Sequence, residues 1–317
     1  HIQTDVFSPQ QVPFFIDVLE AILGDKEHVK EQKIFSAVCC SVSPLGYDAD
    51  MLEACLDLTE YDVPIEILPM PIAGATAPAS LLSAALLNNI EVIAALTIFE
   101  LYKPGTPIMY GSASSILDMK TGLFAVGAPE EGLINAAGAE MARYYRIPSF
   151  VCGFGSDAKE PGIQAALEKM ACGITPLLAG TNILCGIGLL ETCQCLFFEQ
   201  LVIDDEIFGF ARRIKDGIRG GKEFILSDVI SEVGAGGHYL SQRSTKQLIR
   251  QGEHYIPKLI SRESFEAWQK SPKKDIQQYA KEKAKKILCG PRQEYLESSV
   301  VKELAKILQS AEKVLCI

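Results

Sequence analysis

The chain has 317 residues, 48% of them hydrophobic and 22% charged, which supplies a large core and excludes a disordered segment. A formal net charge of -10 excludes a nucleic-acid surface, which needs clustered Lys and Arg, and the basic run 281–286 reads as one solvated helix face. Ten cysteines, several inside apolar runs (Cys39, Cys40, Cys152, Cys172), read as buried thiols of the reducing cytoplasm and not as a disulfide framework.

In chain order, His1–Phe7 reads as a weak strand without an initiator Met, so the chain is expected to begin inside a larger domain. Ser8-Pro9 predicts a helix start, with Ser8 as N-cap and Val12, Phe15, Ile16, Leu19 and Ile22 at helical spacing behind it. Ile34–Val42 predicts a strand ending in Ser43-Pro44-Leu45-Gly46, then a helix over Ala49–Leu58 and a strand over Pro64–Leu68. The small-residue stretch Pro69–Ser80 is a strand-to-helix loop, and the apolar Leu81–Leu101 is a helix. Asn88, Asn89 and Glu91 interrupt that helix, which favours burial over a membrane span. A strand at Pro107–Gly111, a polar loop over Ser112–Gly127 and a helix opening at Pro129-Glu130-Glu131 follow. Pro148–Cys152 is a strand, Gly153–Asp157 its loop, and a helix runs on through Gln164 and Met170. Asn182–Gly186 is the last clear strand, with a helix from Leu189 through Phe210.

Strands recur roughly every 30–40 residues with a helix between each pair, the cadence of parallel βαβ units. Their continuous apolar character means burial on both faces. The expected fold is therefore α/β, a (βα)₈ TIM-type barrel lacking its N-terminal strands, since a closed barrel needs eight. Phe224–Val233 is a further candidate strand that also contains helix-compatible residues. Residues 1–240 are assigned to the barrel and 241–317 to a C-terminal helical extension packed on it, amphipathic near Asp275–Leu288 and Ser298–Leu308.

Ligands of such folds bind at the carboxyl ends of the strands, where loops begin at Ser43, Pro69, Gly111, Gly153 and Gly186. Tyr110 and Phe154 there are either core residues or aromatic faces for a quaternary ammonium. Asp157 is either a cation-holding carboxylate or, with Ser156, a helix cap, and Glu191 is either a site acid or an early-turn acid favoured by the helix dipole. His238 stands alone among four histidines in a glycine-rich context, Gly234–Leu240. Cys193-Gln194-Cys195 has the wrong spacing for zinc, so no metal site is expected. No predicted strand carries Lys, which weighs against a Schiff-base aldolase.

Four stretches carry a resemblance: Pro69–Ser80, Asn182–Glu191, the Val202–Ile207 helix, and Gly236–Leu240 followed by Thr245. Together they resemble the non-pyrrolysine branch of the trimethylamine methyltransferase family, over essentially the whole chain. The resemblance implies a barrel that moves a methyl group from a quaternary amine, such as glycine betaine, proline betaine or carnitine, to the cobalt of a corrinoid. That cobalamin is supplied by a separate small corrinoid-binding protein, with none held tightly by this chain. No nucleic acid and no membrane is implied, and homo-oligomerisation stays open. The implied corrinoid-facing loop contains Gly74, Ala75 and Thr76. The implied substrate-binding set is Tyr110, Phe154, Asp157, Cys185, Glu191 and His238. Cys185 stands where many members have His in an Asn-x-x-His-Gly run, which keeps a second reading alive, a non-catalytic barrel that binds betaine or docks a corrinoid protein.

Overall fold

The computed structural model describes residues 1–271 and 275–315. Six strands, β1 (Ile2–Asp5), β2 (Phe35–Val42), β3 (Ile65–Leu68), β4 (Ile108–Ser112), β5 (Ser149–Cys152) and β6 (Ile183–Cys185), lie side by side in chain order, every pairing parallel. The weak run at the start is thus a true strand, pairing Ile2 with Phe35 through Asp5 with Val38. Parallel strands in sequential order, joined by right-handed crossovers, place their helices on one face. The sheet curls into a half-barrel whose other face is a lumen.

The connecting helices are α1 (Val12–Leu23), α2 (Lys26–Gln32), α3 (Ala49–Thr59), α4 (Leu81–Tyr102), α5 (Pro129–Tyr145) and α6 (Ile163–Ala179), with α7 (Phe198–Asp216) following β6. Alternation along each strand sorts the residues. Ala37, Cys39, Ile65, Ile67 and Tyr110 join Val12 and Ile16 of α1, Leu58 of α3 and Phe99 of α4 in one apolar layer. Their neighbours Val38, Cys40, Glu66 and Leu68 therefore face the lumen.

At 22 residues α4 is long and apolar enough to cross a bilayer, yet two of its polar interruptions, Asn88 and Glu91, are buried and bonded to the sheet side. Asn88 accepts from Ser114 Oγ at 3.1 Å and donates to the Gly111 carbonyl at 3.3 Å. Glu91 accepts from Ser41 Oγ, from Ser43 Oγ at 2.8 Å and from the Leu45 amide at 2.9 Å, clamping the loop that leaves β2.

Four local expectations are corrected. Ser8 and Pro9 do take the N-cap and first positions, but of a 3-10 turn, Pro9–Gln11, that precedes α1, and the Ser8 side chain makes no capping bond. The supposed polar loop 112–127 contains a hairpin, Ser115–Asp118 against Leu123–Ala125, whose first strand pairs in parallel with Ile72–Ala73. Leu189 does not begin a helix: Leu189–Leu190 pairs antiparallel with Cys195–Leu196 around left-handed Glu191, Thr192 and Cys193, delaying α7 to Phe198. Phe224–Val233 is no strand, since Lys222–Phe224 is a 3-10 turn leading to α8 (Ser227–Val233).

After α9 (Arg243–Arg250) and α10 (Phe265–Trp268), the C-terminal part places α11 (Ile276–Leu288) on α7 and α12 (Ser298–Leu315) on α1. Buried Glu206 of α7 holds the segment between α9 and α10, accepting from Tyr255 Oη at 3.1 Å and from the amides of Lys258 and Leu259 at 2.9 and 2.8 Å.

Candidate functional site

Because all six strands run the same way, their exit loops share one rim. The Pro69–Ser80 loop leaves β3 and the Gly153–Asp157 loop leaves β5, so both lie on that rim. The first is a tight turn in which the amides of Ala75 and Ala77 both donate to the Ile72 carbonyl at 2.9 Å. Thr76 Oγ1 accepts from the Ile72 amide at 2.9 Å, and Gly74 takes φ +91°, a conformation that a side chain would strain. Gly74 and Ala75 are exposed at its tip, ahead of half-buried Thr76.

Asp157 caps no helix, since α6 starts at Ile163 behind Gly162. Its carboxylate accepts from the amides of Val126 and Gly127 and from Thr192 Oγ1, each at 3.0 Å, which joins three rim segments. Glu168 of α6 supports it from beneath, accepting from Ser156 Oγ at 2.6 Å and the Asp157 amide at 2.9 Å. Beside Asp157 a cleft of about 490 Å³ opens against Asp118, Phe124, Lys159 and Gln164. Glu191 sits in the adjacent left-handed turn, half exposed and 3.9 Å from the Lys159 ammonium.

The two aromatic candidates lie elsewhere. Tyr110 is fully buried on the helix-facing side of β4, stacked on Tyr145, with its hydroxyl donating to Asn89 at 3.1 Å. Burial pushes its phenol pKa well up. The Phe154 ring is likewise fully buried, edge-on to Phe208 with centroids 6.0 Å apart and against Gly173, where a Cβ would meet it at 2.7 Å. Both positions are those of packing residues. His238 is exposed in the turn between α8 and α9, a segment that does not follow a strand.

Sequence reading missed a buried ion pair that ties the exits of β5 and β6 together. Lys169 of α6 lies 2.9 Å from Asp204 Oδ2 of α7, both side chains without solvent exposure. Lys169 also donates to the carbonyls of Phe154 and Gly186, at 2.5 and 3.1 Å. Asp204 in turn accepts from the Gly188 amide and Gln200 Nε2, both at 2.7 Å. Burial lowers the Lys169 pKa, opposed by the neighbouring carboxylate. Gly186 is required here, because a Cβ would stand 2.6 Å from the Phe154 carbonyl carbon and φ is +102°.

The lumen carries the remaining polar groups. Cys185 ends β6 opposite Cys152 of β5, with the sulfurs 3.1 Å apart and both residues half-buried. Glu66 is fully buried, with Oε2 accepting from Gln3 Nε2 at 2.6 Å and Oε1 left without any partner. Burial raises its pKa from 4.5 to about 9, reinforced by Asp5, whose own pKa is raised by burial. Cys40 on β2 senses the same carboxyls, and burial with their charge lifts it to about 12. The signal for Glu66 was a lone acid inside Ile65-Glu66-Ile67-Leu68. Among the described residues no group of three or more His, Cys, Asp or Glu is placed to hold a metal ion.

Comparison with known proteins converges on one family. Residues 1–313 match the family described as Trimethylamine methyltransferase (MTTB). The chain is similar to the trimethylamine methyltransferase MttB of Methanosarcina barkeri (strain Fusaro / DSM 804), 32% identical over 305 residues, covering 96% of this chain and 61% of that protein. It is also similar to the glycine betaine methyltransferase of Desulfitobacterium hafniense (strain Y51), 33% identical over 276 residues, covering 87% of this chain and 57% of that relative. A trimethylamine methyltransferase MttB of Desulfitobacterium hafniense (strain DSM 10664 / DCB-2) is 32% identical over 292 residues, 92% of this chain and 58% of its own length. The chain thus spans less than two thirds of the length of these relatives, and it belongs to the trimethylamine methyltransferase family.

Proposed function

We propose that this chain is the barrel portion of a methyltransferase that moves a methyl group from a betaine-like quaternary amine to the cob(I)alamin of a separate corrinoid protein. The observation that carries this reading is the lumen face itself, where Asp5 and Glu66 sit on strands that contain no Lys or Arg. Two carboxyl groups with no Lys or Arg on their strands suit a cation. A quaternary nitrogen already holds a neutral leaving group: the C–N bond breaks with its electron pair on nitrogen, and no proton has to be supplied. The protein then needs only to position two reactants and exclude water. In this reading the six strands belong to an eight-stranded barrel with residues 241–317 as its helical extension, and the corrinoid protein approaches the rim at Gly74, Ala75 and Thr76. The free thiols of the described cysteines support a reducing cytoplasmic setting.

The test supplies purified protein with cob(I)alamin, or with a corrinoid-carrying protein, and one amine at a time from trimethylamine, glycine betaine, proline betaine and carnitine. Formation of methylcobalamin, followed by absorbance, is expected with a quaternary amine and only when the corrinoid is added. Cys185, paired with Cys152 in place of the His expected at that position, motivates the second reading of a betaine-binding or corrinoid-docking barrel. Amine binding without any methyl transfer would favour that second reading.

A further inference from the structure

We propose that Asp5 and Glu66 together form the counter-charge that receives the cationic nitrogen head of the substrate in the lumen. The proposal deepens the methyltransferase reading and rests on it. Three observations place the pair. The register Asp5–Val38–Glu66–Met109 runs across four adjacent strands, so the two acids share one row and one face. Ile65 and Ile67, on either side of Glu66, belong to the helix-side apolar layer, which turns Glu66 to the lumen. Glu66 is fully buried, yet one of its oxygens has no donor, a costly arrangement for a group whose other oxygen is held by Gln3. The groups around it are half-buried side chains, Gln3, Asp5, Cys40 and Leu68, so a ligand in the lumen reaches the pair by displacing side chains and not backbone.

Among the described residues, the titratable groups coupled to Glu66 are Asp5 on β1, Cys40 on β2 and Cys152 on β5, none of them cationic. With no positive partner among the described residues, burial favours the protonated form of Glu66. A fixed cation arriving beside the pair favours the carboxylate, and the proton leaves for solvent, so binding converts carboxylic acid plus onium into an ion pair plus a free proton. Methyl transfer cancels that charge, because the broken C–N bond leaves its electron pair on nitrogen. The proton released on binding then returns from solvent, to the carboxylate or to the basic product amine, which restores the starting site once the product leaves.

The experiment is titration calorimetry of the full chain at pH 7 in phosphate and in Tris, whose ionisation enthalpies differ. The probes are tetramethylammonium, glycine betaine and 3,3-dimethylbutyrate, the last being the uncharged-head isostere of glycine betaine. About one proton is expected to be released per onium bound and none with the isostere. Glu66→Gln is expected to abolish the release and weaken onium affinity by about tenfold or more, and Asp5→Asn to weaken it as well. Onium binding without proton release, or with undiminished affinity in both variants, overturns the counter-charge while leaving the methyltransferase reading standing. Failure of the unmodified chain to bind any onium, together with no methyl transfer, overturns both. The proton count is made on the unmodified protein, so it decides the matter even if a variant does not fold.

Discussion

The Lys169 ammonium and the Asp204 carboxylate meet at 2.9 Å across the α6–α7 interface with neither side chain exposed. Removing one partner leaves a buried charge uncompensated, which costs far more than the pair gains over an apolar substitute. Lys169→Met is expected to destabilise the protein by about 3–5 kcal/mol, whereas Lys169→Met combined with Asp204→Leu recovers much of that loss. Chemical denaturation of the three proteins checks this, and equal stability of the single and double variants would refute it.

Phe154 supplies a second test. With its ring wedged between Gly173 and Phe208, Phe154→Ala is expected to cost about 3–5 kcal/mol of stability. Betaine affinity of the folded fraction should stay unchanged. Gly173→Ala should destabilise as well, because its Cβ would stand 2.7 Å from the same ring. Thermal melts and affinity measured on one sample separate packing from ligand contact, and a stable Phe154→Ala protein with weakened binding would return the ring to the pocket.

Protonation sets a third expectation. Burial raises Glu66 from 4.5 to about 9 and Glu131, on α5, from 4.5 to about 8. Between those values the folded chain keeps protons that the unfolded chain has lost. Stability is therefore fully present below about pH 4.5 for these groups and falls as pH rises through the folded values. Melting temperature should drop between about pH 5 and about pH 9, and Glu66→Gln should flatten part of that slope. An unchanged slope in the variant would show that Glu66 ionises freely in the folded state.

The pair Cys152 and Cys185 yields a fourth. Their residues are directly opposed on neighbouring strands with sulfurs 3.1 Å apart, and backbones separated by about 4.8 Å lie within disulfide range. Diamide is expected to oxidise this pair, lowering the free-thiol count from ten to eight and joining the two tryptic peptides that carry them. Cys185→Ser should block that change. Retention of all ten thiols in the unmodified protein would refute it.

The strands after β1 were legible because each is a compact, largely apolar run that ends beside Pro or Gly, and their order followed from the βα cadence. What the chain hid was pairing between distant segments. Ser115–Asp118 is too short and too polar to announce itself, and it becomes a strand only by pairing with Ile72–Ala73 about forty residues earlier. The same holds for Lys169 and Asp204, which sit on different helices and look like ordinary charged positions until those helices pack. Tyr110 shows how a single step of register decides a role. It was rightly placed near a strand end, but alternation turns it toward α4 and α5, while its neighbours Met109 and Gly111 face the lumen. Glu66 was visible as an acid in an apolar run, yet only its missing partner makes it informative.

The rim sheet joins Ile72–Ala73, Ser115–Asp118 and Leu123–Ala125 by backbone hydrogen bonds, and Asp157 fastens Val126 and Gly127 beside it. The ladder's segments leave two different strands, β3 and β4, and the Asp157 side chain ties in the loop that leaves β5. Anyone grafting substrate preference between relatives would therefore have to move them as one cassette: exchanging the Pro69–Ser80 loop alone would strip the hairpin of its edge partner, and exchanging the hairpin alone would strand Ile72.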